Sequence, residues 1–563
     1  MSTSTISPSV ATTVSGLTPY AGPWGKEQVA HLLRRTLFGP KKAEIAQAIS
    51  AGMAATLDLL LAPAVAPAPP VNFWYTEDPN VPIGAPWVEH PHVDEADVGQ
   101  YRWPSLRGWY FQSMMHSPTN IMEKMAMFWF NHFGMADVGE HRAQYQYIQL
   151  FREEGIDNYR TMIEKITVHP AMLRFLNGDQ NNKWQPNENY ARELLELFTI
   201  QKGPQVAPED YTHYTEHDIR VAAKILTGWR NQGFWSSEDI GVYSEFVPNR
   251  HWNSDPDDPN FPPKTLSHRF DNVTIANNGA DEYKDLIAVI FGKRETARAF
   301  CRELYRYFVY YKINDQVEND VIEPLADVLI DNDFAIAPTL RALFGSEHFY
   351  DVAVRGPLIK SPYDFMFSML RPMGAYGHMG LELTHSENEA DLYAKYDLGS
   401  SLHWWATTMD MDFLYPPSVA GWKAYYQVPT FYRNWIGSTT LQRRRELVRR
   451  LVDWGFYSRE ERDGQSMPRH FDYFAFVEAL DAPIDPNELV AECAEIFLPR
   501  PLHPDQLAGL KENLLGDLPD DEWTTQYLDY LESPNNPMVS GPIEDRLKSF
   551  FYALFSMAEF HLM

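Results

Sequence analysis

Cysteine is almost absent from this sequence. Its 563 residues include only two, Cys301 and Cys493. Two thiols cannot form a disulfide framework or a cysteine-based zinc site, so both of these classes of protein are excluded. Each cysteine falls in an amphipathic helical pattern, and we therefore expect both to be buried free thiols.

Long apolar runs and export signals are also missing. No run reaches the ~18 apolar residues needed to cross a bilayer, so we expect no membrane span. Residues 1–24 are rich in Ser and Thr, and they have neither the basic and apolar regions of a secretory signal nor a twin arginine. The default expectation is a soluble protein of the cytoplasm.

Basic residues are scarce relative to acidic ones. The 48 Lys and Arg face 76 Asp and Glu, which gives a net charge of −28. This charge repels a phosphate backbone, so we expect no nucleic-acid partner. The sequence also has no glycine-rich phosphate loop, Gly-x-Ser-x-Gly elbow, His-Glu-x-x-His or Cys-x-x-Cys motif. These absences argue against nucleotide-dependent enzymes, serine hydrolases, zincins and redox thiol proteins.

Hydrophobic residues and helical periodicity are plentiful. The chain is 44% hydrophobic and 14% aromatic, and apolar residues recur with a helical period over most of its length. The clearest predicted helices lie around residues 105–116, 118–133, 143–154, 158–166, 188–200 and 216–229. We predict a mainly α fold, with one large multi-helix domain, long irregular loops and a helical C-terminal extension.

The predicted organisation has three parts. Residues 1–24 form a disordered or extended N-terminus. Residues 25–372 form a helical core, which contains a proline-rich loop at 62–100 and a second long loop at 230–280. Residues 373–563 form a C-terminal helical region. Loops as long as these are uncommon inside a globular domain and often serve function.

The most informative segment covers residues 187–199. At 3.6 residues per turn its apolar side chains share one face and its polar side chains share the other. The apolar set is Tyr190, Ala191, Leu194, Leu195, Leu197 and Phe198; the polar set is Glu188, Asn189, Arg192, Glu193 and Glu196. Two interpretations fit this pattern. It is either a surface helix with ion pairs of ~0.2–0.5 kcal/mol each, or a helix whose polar face lines a site.

Six separated segments, taken together, resemble one bacterial family, domain of unknown function 1800 (DUF1800). They are residues 31–39, 128–133, 170–173, 187–199, 226–229 and 415–422, in the family's order. The resemblance implies a large, mainly helical bacterial protein and no established reaction. Family members are often encoded beside proteins of domain of unknown function 1501 (DUF1501), which resemble alkaline phosphatases and sulfatases. A DUF1501 protein is therefore the implied partner. Many members carry export signals, whereas this sequence shows none.

The chain departs from the family pattern at two places. Phe130 stands where members commonly have the first of two histidines, so only Asn131 and His132 remain and a two-histidine metal site cannot be carried over. His251 and Lys264 match the family, but Trp252 replaces the aspartate that commonly follows the histidine.

The candidate site combines polar residues from these separate segments. Paired carboxylates with a histidine can act as general acid and base, or can bind a hard divalent cation. The candidate catalytic residues are Glu193, Glu196 and His132. The candidate substrate-binding residues are Asn131, Asn187, Glu188, Asn189, Arg192, His251, Lys264 and Trp422, and His217, Asp218 and Arg220 are further candidates. The metal ligands stay open, with a divalent cation as the candidate cofactor.

Two functions fit this candidate site. The first is an enzyme acting on a polar substrate, such as a glycan or a sulfated or phosphorylated polymer. The alternative is a non-catalytic binding or assembly protein that works with a DUF1501 partner. In that case the same polar residues form a buried network that holds helices together, and every member of the network must be hydrogen-bonded.

Overall fold

Helices dominate the structure. The computed structural model describes residues 15–136, 138–255, 257–374, 389–462, 465–469 and 471–563. It is 56% helical and only 6% strand, which confirms the prediction of a mainly α fold. Most of the N-terminus predicted to be disordered or extended, residues 1–14, lies outside the described residues. No helix in the described ranges is both long and apolar enough to cross a membrane.

The α-helices of the first half of the chain are numbered in chain order. They are α1 (Lys26–Thr36), α2 (Lys42–Ala51), α3 (Met53–Leu60), α4 (Gly99–Met115), α5 (Met122–His132), α6 (His141–Glu153), α7 (Tyr159–Thr167), α8 (Pro170–Phe175), α9 (Glu188–Glu196), α10 (Glu216–Ile225), α11 (Glu282–Phe291), α12 (Arg294–Phe308), α13 (Asp315–Val317), α14 (Glu323–Asp331) and α15 (Ile336–Phe344).

The second half continues in the same way. Its helices are α16 (Pro362–Leu370), α17 (Glu389–Thr408), α18 (Lys423–Tyr426), α19 (Ser438–Arg449), α20 (Tyr473–Glu478), α21 (Pro486–Phe497), α22 (Pro504–Leu515), α23 (Asp520–Glu532) and α24 (Pro537–Ser556).

Short antiparallel strand pairs lie in the connections between helices. They are β1 (Gln205–Ala207) with β2 (Asp210–Tyr211), β3 (Trp229–Gln232) with β4 (Tyr243–Phe246), β5 (Lys264–Thr265) with β6 (Thr274–Ile275), and β7 (Phe456–Arg462) with β8 (Gln465–Arg469). The β3–β4 and β5–β6 pairs give order to the long loop predicted at 230–280. They are too short to have a clear alternating pattern, so the sequence did not reveal them.

One hydrophobic core runs from Val29 in α1 to Met563 at the C-terminus. Both cysteines lie inside it as free thiols, as predicted, and burial raises the pKa of each. The division of the chain at residues 372 and 373 stays a prediction. The proline-rich loop also contributes to the core, because Val71 and Trp87 are enclosed in it.

Several helix boundaries differ from their predicted positions: α5 starts at Met122 instead of residue 118, and α10 ends at Ile225 instead of residue 229. Helix α4 starts at Gly99 although Pro104 lies inside it. Its first turn is held by tertiary hydrogen bonds: the Tyr101 hydroxyl donates to Asp78 Oδ2 at 2.8 Å, and Arg102 donates to the carbonyls of His90 and Pro91. Helix α9 ends at Glu196 rather than near residue 200, since the chain turns there and the Phe198 amide donates to the Glu193 carbonyl.

Candidate functional site

The polar face of α9 contains both paired and unpaired side chains. Arg192 donates to both carboxylate oxygens of Glu216 at 3.0 and 2.9 Å, and also to Glu188 at 3.2 Å. Glu196 accepts from the Tyr214 hydroxyl at 3.1 Å and from Lys202 at 3.5 Å. The carboxylate of Glu193 has no hydrogen-bond partner among the described residues. Burial and the neighbouring Glu196 raise the pKa of Glu193.

The start of α9 is built from asparagines. Asn187 caps the helix, because its Oδ1 accepts from the backbone N–H of Asn189 at 2.9 Å. The backbone N–H of Asn187 donates to Asn181 Oδ1 at 2.8 Å. Such a cap satisfies backbone donors that the first turn leaves unpaired. Asn189 itself is exposed. Arg192 takes part in ion pairs, as in the first interpretation of this helix, whereas the Glu193 carboxylate has no ion-pair partner in the described structure.

His132 ends α5 in an aromatic environment. Its ring stacks on Phe128 and also contacts Trp129, Phe133 and Phe300. Its Nε2 lies 3.3 Å from the carbonyl oxygen of Phe198, which places it near the end of α9. Burial lowers the pKa of His132, partly offset by the charge of Glu303 and this hydrogen bond. Burial thus favours the neutral imidazole of His132, which is packed mainly by aromatic rings.

Asn131 and Trp422 are joined directly. The Trp422 amide donates to Asn131 Oδ1 at 3.0 Å, and both residues are buried. Gly421, which precedes Trp422, has φ of +80°, and a Cβ there would lie 2.3 Å from the Asn131 carbonyl oxygen. Only glycine fits this contact. The segment 415–422 thus docks on the end of α5 as a packed corner.

His251 and Lys264 share one buried carboxylate, that of Glu282. His251 Nε2 lies 3.1 Å from Glu282 Oε2, and Lys264 forms an ion pair with Glu282 Oε1. All three side chains are at most 1% exposed. Burial lowers the pKa of Lys264, and the bond to Glu282 opposes this effect. Both His251 and Lys264 were candidates because they match the family pattern. Nothing in the sequence indicated that Glu282 is their common partner.

The three further candidates lie on α10. Asp218 is buried and accepts from Thr215 and Ser267. Its bonds with Thr215 complete the capping box at the start of the helix. His217 bonds the Thr265 carbonyl at 2.9 Å, and Arg220 donates to Glu209 at 3.3 Å on the surface. These contacts hold α10 against its neighbouring loops.

A large cavity lies elsewhere, between α4 and α17. Its volume is about 980 Å³, and none of the candidate residues above lines it. Six aromatic side chains surround it: Phe73, Trp74, Trp103, Tyr393, Trp404 and Trp405. Its polar lining includes Arg107, Asp397, His403 and Asp412. We call this space the aromatic cavity. The proline-rich loop supplies Phe73 and Trp74, so part of that loop forms the wall of a cavity.

The polar centre of the aromatic cavity is organised around Asp412. Its Oδ1 lies 2.7 Å from His403 Nε2 and 3.8 Å from Arg107 Nη2. The Arg107 guanidinium stacks over the Trp103 ring at 3.5 Å. Burial lowers the pKa of His403, Asp412 opposes that effect through its hydrogen bond, and Arg107 adds to it. The site thus offers a carboxylate, an imidazole and a guanidinium within one patch of aromatic rings.

Sequence reasoning missed the aromatic cavity because its walls come from distant parts of the chain. Trp103 and Arg107 precede His403 and Asp412 by about three hundred residues in the sequence. One signal was present: Trp404 and Trp405 are adjacent, so a single helix cannot bury both on one face. Trp404 is indeed 53% exposed.

The described residues contain no group of three or more His, Cys, Asp or Glu side chains placed to hold a metal ion. The carboxylates of α9 and the His403–Asp412 pair each fall short of such a set.

The fold and site define a mainly α protein with an aromatic cavity between two long helices. The model of the family described as protein of unknown function (DUF1800) matches residues 31–561, nearly the whole chain. The chain belongs to this family, which confirms the resemblance drawn from the six segments. No curated protein and no solved structure matches the chain.

Proposed function

We propose that this protein binds a carbohydrate in the aromatic cavity. The proposal rests on the lining of this cavity, in which six aromatic side chains lie around three polar ones, those of Arg107, His403 and Asp412. Aromatic faces pack against the apolar C–H faces of sugar rings, while a few charged groups orient the hydroxyls. The volume is at the upper end of the ~300–1,000 Å³ typical of ligand sites, which suits an oligosaccharide.

Calorimetric titration with neutral and anionic oligosaccharides tests this proposal. Trp404→Ala removes an exposed ring from the wall, so we expect at least a tenfold loss of affinity with little change in melting temperature. Trp184→Ala is the matched control, because Trp184 is 68% exposed and lies outside the aromatic cavity. Absence of binding by the wild-type protein, or an equal loss in both variants, would overturn the proposal.

A second candidate function is catalysis at the end of α9, on a glycan or a sulfated or phosphorylated polymer. Glu193 favours it, because this carboxyl has no hydrogen-bond partner in the described structure and its pKa is raised by burial and by Glu196. A carboxyl whose pKa is raised keeps its proton to a higher pH than an ordinary glutamic acid, which suits it to act as a general acid. Glu196 and His132 complete the proposed catalytic group.

Activity and metal content test this second candidate together. Turnover of such polymers should fall at least a hundredfold in Glu193→Gln if Glu193 acts as acid or base. Elemental analysis of the wild type, Glu193→Gln and His132→Ala then checks the divalent cation. Stoichiometric metal that either variant loses would support a metal-assisted reaction. Activity that survives in Glu193→Gln would remove this candidate.

We also propose that the protein assembles with a DUF1501 protein. It rests on the resemblance of the six segments to a family whose genes often neighbour those of DUF1501 proteins. Co-expression of the two proteins, followed by size-exclusion chromatography, checks it. A shared peak with fixed stoichiometry is expected, and separate elution at micromolar concentration would argue against assembly.

A further inference from the structure

A second, smaller cavity lies between α1 and α21, apart from the aromatic cavity. Its volume is about 340 Å³, near the lower end of the ~300–1,000 Å³ typical of ligand sites. Among the described residues that line it, the charged ones are Lys26, Glu27, Arg34, Glu495 and Arg500, and all the others are Ala, Leu or Pro. We call this space the Arg34 cavity.

Arg34 is the buried cation of this cavity. It is 8% exposed, and burial lowers its pKa to about 9, so it is still protonated at pH 7. Its Nη2 donates to the backbone carbonyls of Glu495 and Ile496 in the last turn of α21, the latter at 2.9 Å. These carbonyls carry the partial negative charge of a helix end. They hold Arg34 in place, but no described carboxylate forms an ion pair with it.

One donor of Arg34 remains for a ligand. Its Nε is enclosed by protein and its Nη2 is occupied by α21. Its Nη1 has no hydrogen-bond partner among the described residues and, unlike Nε, is not enclosed. Since the side chain lines the cavity, Nη1 is the donor that faces it. A guanidinium N–H in so buried a place is normally matched by an acceptor.

The other charges around the Arg34 cavity are mostly paired. Glu495 forms an ion pair with Lys26 at 2.7 Å, and Glu27 forms one with Arg355. Arg500 donates to backbone carbonyls and has no ion pair with a described carboxylate. Both carboxylates of the lining are therefore occupied, whereas two of its cations lack a counter-charge. This balance favours an anionic ligand and disfavours one that carries an ammonium group.

The remaining walls select the rest of the ligand. Ala, Leu and Pro side chains have no polar atoms, so they cannot orient the hydroxyl groups of a sugar. They can enclose a short hydrocarbon chain, which burial removes from water.

We propose that the Arg34 cavity binds a small aliphatic monocarboxylate, whose carboxylate accepts from Arg34 Nη1 while its hydrocarbon chain packs against the Ala, Leu and Pro walls. Hydrogen bonds between a guanidinium and a carboxylate are strengthened by charge. This site is independent of the carbohydrate proposed for the aromatic cavity.

A titration of the full-length protein with hexanoate, labelled with ¹³C at the carboxyl carbon and observed by NMR, is the first test. We expect saturation at one equivalent. Hexanol has the chain without the charge, phosphate has charge without the chain, and leucine adds an ammonium group. Each should compete at least tenfold more weakly than unlabelled hexanoate. Absence of saturable hexanoate binding, or equal competition by hexanol, would overturn the proposal.

Arg34→Met tests the role of the guanidinium. It removes the donor and the charge but keeps an apolar side chain, so hexanoate affinity should fall at least tenfold. Arg371→Met is the matched control, because Arg371 is also buried, also donates to backbone carbonyls and does not line the Arg34 cavity. It should keep the wild-type affinity. An equal loss in both variants would contradict a specific role for Arg34.

Ala491→Leu tests the location without changing Arg34, and it keeps the proposal testable if Arg34→Met does not fold. Ala491 is half-buried and lines the cavity, so the larger side chain should occupy the space of the hydrocarbon chain and weaken binding at least tenfold. Ala342→Leu in α15 is the control, since Ala342 is also half-buried but lies outside the cavity lining. Unchanged hexanoate affinity in Ala491→Leu would place the ligand elsewhere and refute the site.

Discussion

Gly399 of α17 lies directly against Gly108 of α4. A Cβ built on Gly399 would stand 2.4 Å from the Gly108 Cα and 2.7 Å from its carbonyl oxygen. The two helix backbones thus touch at a point where neither residue has a side chain. Arg107, which precedes Gly108, and His403, one turn after Gly399, both line the aromatic cavity. The glycine contact therefore sets the spacing of the cavity walls.

We expect Gly399→Ala to destabilise the protein by about 1–3 kcal/mol or more, because the clash is with backbone and cannot be relieved by a side-chain rotation. Denaturant unfolding measures the change. Gly509→Ala is the control: Gly509 also lies within a helix, but a Cβ built there has no atom within 4 Å. Alanine there should be neutral or stabilising by ~0.5–1 kcal/mol. Equal effects of the two substitutions would contradict the close approach.

Local patterns could be predicted from the sequence, because they depend on neighbours in the chain. The apolar stripe of α9 is confirmed at Tyr190, Ala191, Leu194 and Leu195. The capping box of α10 follows from Thr215 and Asp218 alone. Each of these features is complete within a few residues, so helical geometry is enough to place its side chains.

The aromatic cavity could not be predicted, since tertiary packing creates it. Nothing near Trp103 in the sequence indicates that α17 will cross α4 there, and nothing near His403 indicates that Asp412 will turn back to meet it. The chain between them passes through left-handed backbone at Asp410, where φ is +68°. The same limit explains Glu282, which meets His251 and Lys264 only in the folded chain.

Glu282→Gln should destabilise the protein strongly. The substitution leaves Lys264 buried without its counter-charge and weakens the bond to His251, and breaking a buried ion pair in this way costs about 3–5 kcal/mol. Urea unfolding measures the loss. Glu209→Gln is the control, because the Glu209–Arg220 pair is exposed and exposed pairs contribute about 0–1 kcal/mol.

A double substitution at Glu282 and Lys264 shows how much of this cost comes from leaving one charge buried and unpaired. Replacing both Glu282 and Lys264 by Met removes both charges, so it should cost less than Glu282→Gln alone. A larger cost in the double variant would show that the charges themselves stabilise this part of the fold.

The cap of α8 predicts a specific pH dependence of stability. His169 Nδ1 accepts from the Ala171 amide at 3.2 Å, and burial lowers the pKa of His169 to about 3. In the unfolded chain a histidine has a pKa of about 6.5. Between that pH and the pKa of the folded state, the unfolded chain therefore binds one proton more than the folded chain. The free energy of unfolding therefore falls as the pH falls, by up to about 1.4 kcal/mol per pH unit from this group.

His169→Asn tests this dependence, since asparagine is a good N-cap and does not titrate. Between pH 7 and pH 5 the wild type should lose about 2 kcal/mol more than the variant. Denaturant unfolding at both pH values measures the difference. If both proteins lose the same free energy, His169 does not remain neutral in the folded state.

In the polar centre of the aromatic cavity, Asp412 should control the pKa of His403. Asp412 favours the protonated form of His403 through the 2.7 Å hydrogen bond, while burial and Arg107 disfavour it. Asp412→Asn removes the negative charge and keeps the size of the side chain. We therefore expect the pKa of His403 to fall further. Proton titration of histidine-labelled protein by NMR measures it.

Asp410→Asn is the matched control for this titration. Asp410 is exposed, lies two residues from Asp412 and makes no hydrogen bond to His403, and asparagine also tolerates its left-handed backbone. An unchanged His403 pKa in Asp412→Asn would mean that the pair is not formed in solution. A fall confined to that variant would show that the Asp412 carboxylate and the His403 imidazole are in direct contact in solution.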